Sequence, residues 1–74
     1  MALATIKKQI IDALSHPEAE DGLYFNNLIV VHEEEERPIV EGEESSVRAA
    51  LEEMIQEGAI VEVKTEAEII YRLK

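Results

Sequence analysis

The side chains best equipped for chemistry are two histidines, His16 and His32, a serine pair, Ser45–Ser46, and a run of four glutamates, Glu33–Glu36. A histidine activates a nucleophile only when a hydroxyl or thiol lies within reach and a third group orients the ring. Neither histidine has such companions at a motif spacing, and Ser45–Ser46 lies in no nucleophile-elbow context. The glycines stand singly at 22, 42 and 58, so no glycine-rich loop can cradle a phosphate. Without cysteine, the chain has neither a disulfide nor a thiolate zinc site. Calcium loops alternate oxygen ligands around a turn glycine, and zinc sites space histidines and cysteines at set intervals. Four consecutive glutamates point in different directions and do neither, so they read as a solvated acidic loop. The expectation is a protein with no catalytic residues, no metal and no cofactor. A chain this small also offers little room for a deep pocket.

Charge says more. Seventeen acidic residues against seven basic ones leave a net charge of −10 and a pI near 4.5. That balance repels polyanions, whereas a nucleic-acid-binding domain normally gathers lysine and arginine on one face. The acidity is also unevenly spread. Residues 25–57 hold ten acidic and two basic side chains, and residues 58–74 hold three of each. Seventy-four residues make one domain, 1–74, with a thin core, and an apolar content of 46% argues for packing rather than disorder. Met1–Thr5 has no basic leader ahead of an apolar run, and the longest apolar stretch, Leu28–Val31, is far short of the roughly 20 residues that span a bilayer. The expected setting is cytoplasmic, with no membrane partner.

The elements that must carry these side chains follow from periodicity. Over residues 4–15, Leu3, Ile6, Ile10, Ala13 and Leu14 share one side of a helix that His16–Pro17 ends. Residues 18–22 read as a loop. Leu23–Tyr24–Phe25 resembles a short strand, and Asn26 or Asn27 could cap a helix beginning near Leu28. The β-branched run there leaves residues 28–35 open between helix and strand, with a short helix preferred. Residues 44–57 are the best-marked helix. Val47, Ala50, Leu51, Met54 and Ile55 form its buried stripe, Ser45 or Ser46 its cap, and Gly58 its left-handed end. Ala59–Val63 and Ile69–Leu73 flank residues 64–68 as a β-hairpin. Val61 and Val63 share one face of the first strand, and Ile69, Tyr71 and Leu73 share one face of the second.

The order helix, short strand, helix, helix, hairpin is that of a winged helix, an α+β fold of three helices with a short strand and a C-terminal two-stranded wing. The stretch Ser45–Val61 resembles the junction of recognition helix and wing in that superfamily: a polar cap, a leucine in mid-helix, another apolar residue one turn on, then glycine before a strand. Tyr24–Phe25–Asn26–Asn27–Leu28, the acidic loop and Tyr71–Arg72–Leu73 are similar to the dissimilatory sulfite reductase D family. Those are small winged-helix proteins associated with sulfite reduction. The chain departs from that family in its extended 33–43 region and its more acidic third helix, so the likeness implies the fold more than any role in sulfur metabolism.

A DNA-binding winged helix places its third helix in the major groove and its wing on phosphates. The outward residues of this third helix are Arg48, Glu52, Glu53, Gln56 and Glu57, one cation among three carboxylates. The plainest reading of Ser45, Ser46 and Arg48 is a cap and a solvated first turn, and a protein contact comes before DNA as a functional one. The leading expectation is a non-catalytic interaction or regulatory module that binds an unknown protein partner, or a second copy of itself as a homodimer, through Arg48, Glu52, Glu53 and the 33–43 loop. The alternative is a transcriptional regulator that grips DNA with Ser45, Ser46, Arg48, Lys64 and Arg72. A structural subunit of a larger assembly is the third candidate. Tyr24, Phe25 and Tyr71 read as core or hairpin packing.

Overall fold

A computed structural model describes residues 2–74. Helix α1 spans Leu3–Leu14, and Ile6, Ile10, Ala13 and Leu14 are buried along one side, as the spacing predicts. Ser15 closes it, its hydroxyl donating to the Ile11 carbonyl at 2.7 Å. The expected loop then begins with a 3₁₀ turn, Pro17–Ala19, which sinks Ala19 into the core. His16 caps this turn, with Nδ1 accepting from the Glu18 amide at 3.1 Å.

Strand β1 is only Leu23–Tyr24, and α2 follows at once as Phe25–Ile29. The second helix therefore starts three residues before Leu28, and Asn26 and Asn27 lie inside it rather than capping it. Asn27 instead reaches backwards, its Oδ1 accepting from the Tyr24 amide at 3.3 Å. Val30 is already extended, so 30–35 is neither helix nor strand. Two physical reasons converge. Val30 and Val31 are β-branched, and the glutamates would meet the negative end of the helix dipole.

Helix α3, Glu44–Glu57, buries Val47, Ala50, Leu51 and Met54, with Ile55 half-buried beside them. Its N-cap is Glu43, and no side chain caps the end, so Ser45 and Ser46 sit within the first turn instead of before it. Gly58, at φ +80°, ends the helix as expected. Strands β2 (Ile60–Lys64) and β3 (Ile69–Leu73) pair antiparallel, joined through Thr65, whose hydroxyl and amide both donate to the Glu68 carbonyl at 2.8 Å.

The hairpin does not stand alone as a two-stranded wing. Strand β1 pairs with β3, giving a three-stranded antiparallel sheet in the order β1–β3–β2. Register pairs Ile60 with Leu73, Glu62 with Tyr71 and Lys64 with Ile69. Directly opposed residues share a face, so Ile60, Tyr71 and Leu73 face the helices. Val61 and Val63 turn away from them, in a row where Tyr24 and Val63 flank Ile70 and remain about two-fifths exposed. The core lies where α1, α2 and α3 meet the inner face of this sheet. No helix among the described residues is long and apolar enough to cross a membrane.

Candidate functional site

Between α3 and the hairpin lies an open hollow of about 570 Å³, lined by residues of β1, α2, α3 and the hairpin. A smaller one of about 240 Å³ shares Arg48 and Tyr71 with it and adds Leu51, Glu52, Ile55 and Glu62. Helical spacing explains the α3 contribution: residues 48, 51, 52 and 55 fall on one side of the helix. Strand alternation explains Glu62 and Ile69, which share the inward face with Tyr71. Glu68 completes the rim from the turn.

Arg48 is not a free cation. Its Nε and Nη2 donate to Glu44 Oε1 at 3.1 and 2.9 Å, and its guanidinium carbon stands 4.0 Å from the centre of the Phe25 ring. It is the one cation among the described residues lining either hollow, against carboxylates from Glu52, Glu62 and Glu68. Tyr71 is buried beneath them, 8% exposed. Burial pushes its phenol above the ordinary value, the nearby Glu62 carboxylate adds to that, and Arg48 opposes it.

The remaining expected site residues are dispersed. Glu53 lies one position round α3 from Glu52 and turns towards α1, where Lys7 Nζ contacts Glu53 and Glu57, each at 3.1 Å. The Glu53 hydrogen bond, then that of Glu57, holds the Lys7 pKa above its ordinary value. Exposed pairs of this kind stabilise little. Lys64 shares the inner sheet face with Ile69, while Arg72 opposes Val61 on the outer face, so the two hairpin cations point apart. Ser45 and Ser46 stand in the first turn of α3 ahead of Arg48.

The acidic loop holds the residue that sequence reasoning missed. Arg37 is buried, 4% exposed, although it follows four glutamates. Its Nε and Nη2 donate to the Asn27 carbonyl at 3.3 and 3.1 Å, and Nη1 to Glu18 at 3.3 Å and to Glu35. Glu18 in turn accepts the amides of Glu36 and Arg37 at 2.9 and 3.1 Å, and Glu35 accepts that of His32 at 2.9 Å. The guanidinium thus ends α2 by taking one of its last carbonyls, which a helix terminus leaves without a partner. Glu33, Glu34 and Glu36 remain exposed, so only part of the run is a solvated loop. The available signal was a single cation inside an acidic run, just before Pro38 and the buried Val40.

This clamp is acid-sensitive. The Glu36 amide, and after it the Arg37 amide, hold the Glu18 carboxyl below its ordinary value of 4.5, and the Arg37 guanidinium does the same for Glu35. A carboxyl whose folded pKa is depressed stabilises fully above its unfolded value and loses that contribution as pH falls through the folded one. Loosening should therefore begin below pH 4.5 and progress as acidity rises. In a carbon-detected NMR titration, Glu18 and Glu35 are expected to titrate below 4.5, with the Glu36 and Arg37 amides shifting in step. Midpoints above 4.5 would contradict the clamp.

Among the described residues no three histidine or acidic side chains gather where they could hold a metal ion. Compared with protein-family models, curated proteins and solved structures, the chain matches none of them.

Proposed function

We propose that this chain is a non-catalytic winged-helix regulatory or interaction module that binds a protein partner, in a cytoplasmic setting, through an acidic face. The order of elements and the glycine-ended third helix leading into a hairpin support the winged-helix reading. One observation carries the choice of partner. The concave side between α3 and the hairpin, where a winged helix would meet a phosphate backbone, is rimmed by Glu52, Glu62 and Glu68, and its Arg48 is already paired with Glu44. DNA affinity depends on summed lysine and arginine contacts, and here the sum has the opposite sign. An acidic face instead speeds association with a basic protein and selects for it.

The alternative, a DNA-binding transcriptional regulator, would need Ser45, Ser46, Arg48, Lys64 and Arg72 to act together. The opposed faces of Lys64 and Arg72 stand against it. Mixed-sequence duplex DNA at about 50 mM salt is the discriminating ligand, because phosphate-driven binding strengthens steeply as salt falls. We expect a dissociation constant weaker than about 100 µM, beyond the usual range of non-specific DNA binding. Tighter binding that is lost on Arg48→Ala would put the DNA reading first.

A further inference from the structure

We infer that the paired hollows between α3 and the hairpin receive an extended, basic segment of a partner protein, with Glu52, Glu62 and Glu68 meeting its cations and the Tyr71 hydroxyl meeting its backbone. This rests on the protein-partner reading above and narrows it to one surface and one chemistry.

The hydroxyl is the first observation. Tyr71 is more than nine-tenths buried and lines both hollows, yet its oxygen makes no hydrogen bond within the described residues. Every fully enclosed side-chain polar atom among those residues does have a partner. The Tyr71 oxygen is therefore the accessible end of a buried ring, open to a ligand in the hollow. Buried tyrosines ordinarily find a partner for this group, and a neutral phenol donates well to a peptide carbonyl.

Charge is the second. Three carboxylates reach the rim from three different elements, Glu52 on α3, Glu62 on β2 and Glu68 in the turn before β3. They are not one solvated run, and they outnumber the single cation in the lining, Arg48, which is itself shared with Glu44 outside it. Between them lie Phe25, Ile55 and Ile69, apolar and only partly covered. An occupant with alternating cationic and apolar side chains satisfies both the rim and the floor. An acidic or phosphorylated one would meet the carboxylates directly.

The test uses a labelled peptide of alternating arginine and leucine, its glutamate–leucine counterpart and duplex DNA, followed by fluorescence anisotropy at about 50 mM salt. We expect the basic peptide alone to bind. Glu62→Lys with Glu68→Lys should weaken it at least about tenfold, while Asp12→Lys with Glu20→Lys, the same charge change at exposed positions outside both the hollows and the 33–43 loop, should weaken it about threefold or less. Tyr71→Phe should cost about three- to tenfold, one net hydrogen bond, with the fold intact by circular dichroism. Equal losses for the two double variants would overturn the site and leave the protein-partner reading standing. No detectable binding of the basic peptide would likewise overturn the site. Binding of DNA in its place would overturn both.

Discussion

Replacing Arg37 by alanine is expected to lower stability by about 3 kcal/mol, out of the roughly 4–11 kcal/mol that a chain of this length holds in all. The loss has three sources. The Asn27 carbonyl at the end of α2 loses both its donors, Glu18 and Glu35 lose the cation between them, and a long aliphatic stem leaves a buried position. Lysine should recover only part, because an ammonium cannot reproduce the planar fork that spans a carbonyl and two carboxylates. Arg37→Lys should therefore fall between, about 1–2 kcal/mol below the native protein. Urea unfolding at neutral pH reads both variants, with an unchanged slope showing that stability alone has moved. An alanine variant within about 0.5 kcal/mol of the native protein would mean that the guanidinium is a bystander.

Gly22→Ala should be comparably damaging, by about 2–4 kcal/mol, for a reason unconnected with charge. At φ +92° the backbone strains any side chain, and a β-carbon there would collide with the Ile70 side chain while lying 3.0 Å from the Tyr71 carbonyl oxygen. Ile70 and Tyr71 belong to the central strand, so neither can retreat without disturbing the sheet on both sides. Gly58→Ala supplies the control. Its φ of +80° imposes similar backbone strain, but its nearest neighbour would be the Lys74 ammonium at 3.7 Å, so about 1 kcal/mol is expected. The difference between the two variants, read from thermal or urea midpoints, measures the close approach of Gly22 to β3. Equal losses would show that only backbone strain matters.

The two long helices were legible because each buries one stripe at helical spacing, and nothing in the tertiary structure competes with that pattern. Short elements were not. Helix α2 has five residues, too few for a period, and its start is set by Asn27 reaching back to Tyr24 rather than by a residue ahead of the helix. Burial of Ala19 in a single turn likewise leaves no pattern to read. The hairpin was legible as a hairpin, but its register depended on the Thr65–Glu68 closure. That one detail decides which carboxylate stands opposite Tyr71. Half of the candidate site, Arg48 and Glu52, follows from α3 alone, whereas Glu62 needed the register and Glu68 the turn closure. Arg37 escaped because a charge in an acidic run is ordinarily solvated. Its burial follows from the carbonyl that α2 leaves open, a demand made ten residues earlier in the chain.

The strand order has a consequence for how the molecule is made. Strand β3, the last of the elements in sequence, lies between the other two, and β1 and β2 are not hydrogen-bonded to each other. During synthesis both would wait without a ladder until residues 69–73 leave the ribosome. Helices α1 and α3 and the β2–β3 hairpin rest on local contacts, whereas the pairing of Leu23 with Tyr71 spans most of the chain and can form only once Tyr71 has emerged. A nascent chain stalled before that point would expose its inner sheet residues to chaperones.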